Sequence, residues 1–161
     1  MESYTMTPVG IIHSPYNSPA GMPIQSTGAS GAKGTIEIFS PYHEALPDLE
    51  GFERIILIYL FHQSTGWSPM VTQYLDTIPH GLFATRAPKR PNPIGISVVR
   101  LMGIEDRILR IEDVDVLDNT PLLDIKPYIP AFDAFPISKS GWLEEAQHRV
   151  STARSDDRFH R

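Results

Sequence analysis

The sequence predicts a mainly β fold, a small closed or nearly closed barrel with one or two short helices, and not a doubly wound α/β sheet. Three observations predict it. The apolar residues recur mostly with period two, the spacing of a strand with one buried face. Fifteen prolines and eleven glycines punctuate the 161 residues and leave few windows long enough for an ordinary helix. No Gly-x-Gly-x-x-Gly follows any predicted strand, so the dinucleotide fingerprint of a Rossmann sheet is missing.

Taken in order, Val9 to Ile12 forms a first strand after Pro8. The segment from Asn17 to Gly34, rich in Gly, Ser, Pro and Ala, reads as a long loop, and loops of that length are usually functional or disordered. Thr35 to Phe39 alternates cleanly as a strand. Ser40-Pro41 sets up a short helix over Tyr42 to Leu46, which Pro47 stops. Arg54 to His62 is almost wholly apolar and predicts a strand buried on both faces. Ile94 to Met102 carries β-branched residues, and Arg107 to Ile111, Val114 to Leu117 and Leu122 to Ile125 follow after short breaks. Trp142 to Val150 suits a C-terminal helix, and the polar chain beyond Ser151 is expected to fray. Residues 1–135 are therefore assigned to one barrel domain and 136–161 to a tail with a short helix. No linker or repeat divides the chain.

The net charge is −5, which argues against uniform attraction to phosphate. The charge is unevenly spread, however. From Thr77 to Ile104 there is no Asp or Glu, while His80, Arg86, Lys89, Arg90 and Arg100 fall there. A local basic patch holds phosphate through its own field, although an ordinary solvated loop would show the same composition. Cysteine is absent, so there is no disulfide framework or thiolate chemistry, in keeping with a cytoplasmic protein. Met1 to Thr5 lacks the basic stretch and apolar core of a signal peptide. The longest apolar run, Ile55 to Phe61, is far below the roughly 20 residues of a membrane span.

Elimination narrows the chemistry. The six histidines are scattered and none pairs at helical i,i+4 spacing, so no metal is expected. Gly28 to Thr35 resembles a phosphate loop only superficially, because Lys33 is followed by Gly34 and not by Ser or Thr. There is no Gly-x-Ser-x-Gly elbow.

Two dense runs remain. Phe83 to Ser97 holds Arg86, Lys89 and Arg90 between Pro88, Pro91 and Pro93, with Asn92 flanked by two prolines. Proline stiffness lowers the entropy cost of presenting cations and an amide to an anion, and the same run would also serve as an exposed stiff turn. Asp113 to Tyr128 is the second. Strand spacing would put Asp113 and Asp115 on one face, and Asp124 and Lys126 on one face where they can pair. Asp118-Asn119-Thr120-Pro121 has turn chemistry, so Asp118 either closes a turn or does chemistry.

These runs, together with His13-Ser14-Pro15-Tyr16 and Phe61-His62-Gln63, resemble the TrmO family, also called TsaA-like, over roughly residues 7 to 133. The motifs that carry the likeness are Ala84-Thr85-Arg86, Arg90-Pro-Asn-Pro-Ile-Gly95 and Asp118 to Tyr128. The resemblance implies a homodimeric β-barrel that binds S-adenosylmethionine. It also implies methyl transfer to N6 of N6-threonylcarbamoyladenosine beside the tRNA anticodon. By resemblance, the cofactor pocket would draw on Pro23, Ile24, Gln25, His62, Gln63, Arg86, Ile96 and the stretch Glu112, Asp113, Val114 and Asp115. Ile24 stands where the family usually has Arg, which puts that contact in question. The chain ends at Arg161 without the extra C-terminal domain of longer bacterial members, so tRNA contacts made there would be absent or supplied otherwise.

On that reading tRNA is the partner, met by Lys89, Arg90, Asn92, Lys126 and Tyr128. A carbamoylated N6 is a poor nucleophile unless its proton is lost, so a nearby polar group should take it. Asp118 and His62 are the candidates, with Asn92 orienting N6 or reading a base edge. Two rivals stand beside it: a barrel that binds S-adenosylmethionine or a nucleotide without turnover, and a methyltransferase with another acceptor.

Overall fold

A computed structural model describes residues 2–23, 28–73 and 77–144. Six antiparallel strands close into a barrel. They are β1 (Gly10–His13), β2 (Lys33–Ile38), β3 (Arg54–Leu60), β6 (Ile94–Glu105), β7 (Ile108–Glu112) and β8 (Thr120–Pro127), in the spatial order β1-β2-β7-β6-β3-β8. Pairing of Gly10 with Leu122 and of Ile12 with Thr120 closes the ring. Closure removes the exposed sheet edge that an open sheet of this size would present. A separate two-stranded hairpin, β4 (Met70–Thr72) with β5 (Pro79–Gly81), lies between β3 and β6 in the chain.

Alternation along each strand decides what fills the barrel. Ile55, Leu57 and Tyr59 of β3 point inward with Ile12, Ile36, Val99, Leu109, Ile111 and Leu122. Val114 and Val116, from the chain after β7, join them. Fully burying an aliphatic side chain contributes about 1.5–3 kcal/mol, so this one cluster is the main source of stability. Gly95 belongs to the same layer. A Cβ there would sit 2.3 Å from Cε2 of Tyr59, so the ring needs a residue without a side chain opposite it.

Several expectations need correction. The strand Arg54 to His62 is not buried on both sides, because residues 54, 56, 58 and 60 lie on an outer face that is only half-buried. Ile94 and Ile96 extend that apolar stripe into solvent. Val114 to Leu117 is not a strand. It is irregular, and it runs past the end of β7 beside the first half of β6. The helix expected over Tyr42 to Leu46 is a 3₁₀ turn, Ser40–Ala45. Of the C-terminal helix only a 3₁₀ turn at Gly141–Leu143 falls among the described residues, and the stretch from 145 onward lies outside them. The hairpin β4–β5 and the one-turn helix α1 (Pro130–Asp133) were not expected. No helix among the described residues is long and apolar enough to cross a membrane.

Candidate active site at one mouth of the barrel

The site follows from unequal strand lengths. β6 has 12 residues and β7 has 5. The last pair between them is Arg100 with Glu112, so Ile94 to Val99 continue alone on that side. The chain from Asp113 to Asn119 fills the gap and crosses the mouth. The end of β1 holds this segment in place. Ser14 N donates to Asp118 Oδ1 at 3.1 Å, Ser14 Oγ donates to the Val116 carbonyl, and Asp118 N donates to the Tyr16 carbonyl at 2.8 Å. The motif His13 to Tyr16 is therefore the clamp on the 116–118 segment.

Inside the mouth lies a chain of polar groups. Ser97 Oγ donates to Asp115 Oδ1 at 2.6 Å, and Tyr59 OH lies 3.1 Å from Ser97 Oγ. Tyr59 and Ser97 are only 5% and 4% exposed. Burial pushes the Asp115 carboxyl up to about 6, against the opposing pull of the Ser97 hydrogen bond and the Arg86 charge. Burial, and then the neighbouring Asp115 charge, push the Tyr59 phenol above its ordinary value, so it stays a neutral hydroxyl. At the end of β3, His62 Nδ1 lies 3.3 Å from the Thr120 hydroxyl of the neighbouring β8.

The proline-rich run is folded by its own side chains. Thr85 Oγ1 donates to the Leu82 carbonyl and accepts from Ala87 N. Arg90 donates to the carbonyls of Thr85 and Ala87 at 2.9 and 3.3 Å, and its guanidinium lies 5.8 Å from the centre of the exposed Phe83 ring. Phe61 N donates to the Pro93 carbonyl at 2.7 Å and anchors the run to the end of β3. Trp142 Nε1 donates to the Ala84 carbonyl, and its ring stacks on His80 at 4.2 Å. Arg86 and Asn92 remain exposed, with Lys89 partly so.

The mouth gathers most of the predicted residues but not all. Strand pairing puts His62, Gln63, Asn92, Thr120 and Asp118 at one end, with Arg86 and Asp115 electrostatically coupled there. Pro23 is buried in the first long loop, while Ile24 and Gln25 lie outside the described residues. The stretch 112–115 splits. Glu112 meets Arg100 at 3.6 Å on the outside of the barrel. Asp113, at φ 67°, accepts from Gly31 N and pairs with Arg54 at 3.2 Å. Val114 is core, and only Asp115 enters the polar chain. The expectation that Asp113 and Asp115 share a strand face is thus wrong, because the backbone turns left-handed at 113.

Ile96 points to solvent, being 50% exposed. Asp118 closes its turn, taking Ser14 N on Oδ1 and Asn119 Nδ2 on Oδ2, with His13 at 3.4 Å. Lys126 pairs with Asp124 at 2.7 Å, as strand spacing predicted. With Tyr128, however, it lies toward the far end of β8, about 20 Å from Thr120 at roughly 3.3 Å per residue. Tyr59 and Ser97 were missed. Each was visible as a polar residue in the inward phase of its strand. Among the described residues no three His, Asp or Glu side chains converge to hold a metal.

The chain is thus a small all-antiparallel six-stranded barrel protein with a polar network at one mouth. Residues 11–134 match the tRNA-methyltransferase O N-terminal domain, and the chain belongs to that family. A relative from Pyrococcus abyssi, named as a probable S-adenosyl-L-methionine-binding protein, is 53% identical over 152 residues, covering 94% of this chain and 83% of its own. The Escherichia coli tRNA (adenine(37)-N6)-methyltransferase is 33% identical over 156 residues, covering 91% of this chain and 66% of its own. The crystal structure of TrmO from Pseudomonas aeruginosa superposes with a TM-score of 0.74 at 39% identity, over 88% of this chain and 63% of that one.

Proposed function

We propose that the protein is an S-adenosylmethionine-dependent tRNA methyltransferase acting on N6 of N6-threonylcarbamoyladenosine beside the anticodon. The observation that carries this reading is the match across nearly the whole barrel to a named tRNA adenine-N6 methyltransferase, with the polar mouth as the place for the chemistry. The residues present suit the cofactor. Arg86 offers a guanidinium to the methionine carboxylate. In the turn after His62 and Gln63, the Ser64 hydroxyl is buried with no hydrogen-bond partner, a polar atom that a bound polar ligand would satisfy. Pro23, Ile24, Gln25, His62, Gln63 and Arg86 would line the rest of that pocket. When bound, S-adenosylmethionine supplies a methyl group already activated on a sulfonium, so the protein's task is alignment and proton removal.

The stiff loop from Leu82 to Pro93 would face the tRNA, with Lys89 toward phosphate or the threonyl carboxylate and Asn92 toward a base edge. Arg90 gives two donor contacts to its own loop and so acts first to hold the loop's shape. The protein would be a cytoplasmic homodimer, burying the apolar outer stripe of Ile58, Leu60, Ile94 and Ile96. Sedimentation of the wild type and of Ile96→Lys tests that face. A second reading, cofactor binding without turnover, is favoured by the Pyrococcus relative, which is named as a binding protein and not as an enzyme. Purified protein incubated with labelled S-adenosylmethionine and tRNA, with or without the threonylcarbamoyl group, separates the two. Label entering only the modified tRNA supports the proposal. Measurable cofactor binding with no label in either tRNA supports the second reading.

A further inference from the structure

We propose that Asp115 is the proton acceptor of the methyl transfer, and that Ser97 and Tyr59 are positioning residues that hold its carboxylate. The inference rests on the functional reading above and deepens it. Of the three carboxylates on the mouth-crossing segment, two are committed elsewhere. Asp113 is spent on Gly31 and Arg54, and Asp118 on Ser14, Asn119 and His13. Asp115 alone is tied into the barrel interior, through the 2.6 Å bond from Ser97 and the 3.1 Å contact of Ser97 with Tyr59.

The tie is rigid at each link. Tyr59 is fixed against Gly95, where no side chain fits. Phe61 meets the Tyr59 ring edge-on at 5.4 Å. Ser97 is two residues further along the same strand as Gly95, so its hydroxyl enters from the same face. The charged and titratable groups facing Asp115 are Arg86 from the loop and Tyr59 from β3. A carboxyl held near neutrality is basic enough to accept a proton and still ionised at pH 7.

The step balances. The N6 lone pair forms a bond to the methyl carbon as the carbon–sulfur bond breaks, and the sulfur keeps that electron pair. The N6–H bond breaks with its electrons left on nitrogen, and the proton goes to the Asp115 carboxylate. One positive sulfonium and one negative carboxylate become a neutral thioether and a neutral acid.

The experiment uses the full chain. The Asp115 carboxyl is titrated by ¹³C NMR without ligand, in wild type, Ser97→Ala, Ser97→Thr and Tyr59→Phe. Cofactor affinity is measured by calorimetry, and single-turnover methylation of modified tRNA is followed against pH for the same proteins and for Asp115→Asn. Loss of the Ser97 hydroxyl removes a donor to the charged form, so the Asp115 midpoint and the pH–rate midpoint should both rise by about one unit. Tyr59→Phe should raise them less, and Ser97→Thr should restore them. Asp115→Asn should lower the methylation rate at least about 100-fold with cofactor affinity within threefold. Asp115→Asn that keeps its rate, or loses cofactor binding in proportion to rate, overturns the proton-acceptor role. Unmoved midpoints in Ser97→Ala, with circular dichroism as in wild type, overturn the positioning role. No methyl transfer by the wild type to either tRNA overturns the functional reading and the acceptor role with it, while the titration still decides whether Ser97 and Tyr59 govern Asp115.

Discussion

Replacing Asp115 by Asn should stabilise the protein at neutral pH, and the gain should vanish in acid. The Asn side chain keeps an oxygen for the Ser97 hydroxyl while removing the charge that burial disfavours. The folded chain raises the carboxyl from its ordinary 3.8 to about 6, so between those values the folded state binds more protons than the unfolded state. The contribution of this carboxyl to stability then falls as pH rises through this window and is gone above it. At 1.36 kcal/mol per tenfold change in proton affinity, the term amounts to about 3 kcal/mol. Urea denaturation at half-unit steps from pH 4 to pH 8 reads it directly. With a slope of about 1–3 kcal/mol per molar urea, the variant's midpoint should exceed that of wild type by about 1–3 M at pH 7, and the two should meet near pH 4. Parallel curves across the range, or a variant less stable at pH 7, would refute the claim that Asp115 is ionised at a cost.

Other outcomes follow from the same geometry. Gly95→Ala should cost about 1–3 kcal/mol in chemical denaturation, because the new Cβ meets the Tyr59 ring inside a closed layer. Arg90→Ala should release the Thr85 and Ala87 carbonyls and raise KM for both substrates, and Arg90→Lys should rescue little, since an ammonium lacks the planar fork. Lys89→Ala should weaken tRNA binding several-fold and reduce the slope of log affinity against log salt by about 1, with cofactor affinity unchanged by calorimetry. Lys126→Ala, at the opposite end of β8, should leave both affinity and salt slope near wild type.

Much of the barrel was legible because its signal is local. Inward residues such as Ile55, Leu57, Leu109 and Ile111 repeat every second position, and that repeat survives any tertiary arrangement. Val114 to Leu117 carries the same repeat and misleads. Its valines do enter the core, but the left-handed Asp113 and the clamp from Ser14 turn the chain out of the ladder. That clamp joins residues about a hundred positions apart, and periodicity carries no information about it. The site shows the same division. Residue type pointed to Asp115 and Arg86 by way of the resemblance, whereas the partners of Asp115 depend on β6 outrunning β7. The identical letter at 113, 115 and 118 therefore takes three different roles, and only contacts distinguish them.

The ring of strands also sets when this site can exist. β1 is the first strand made, and one of its two neighbours, β8, is the last. A chain emerging from the ribosome can pair β3 with β6 and β6 with β7, yet it cannot close until residues near 122 have cleared the exit tunnel. Ser14 finds its acceptors on Val116 and Asp118 only then. Partial chains should hold local hairpins without a methyl-transfer pocket, and acquisition of the native state should be a single late event, slowed by the long loop that must be brought together.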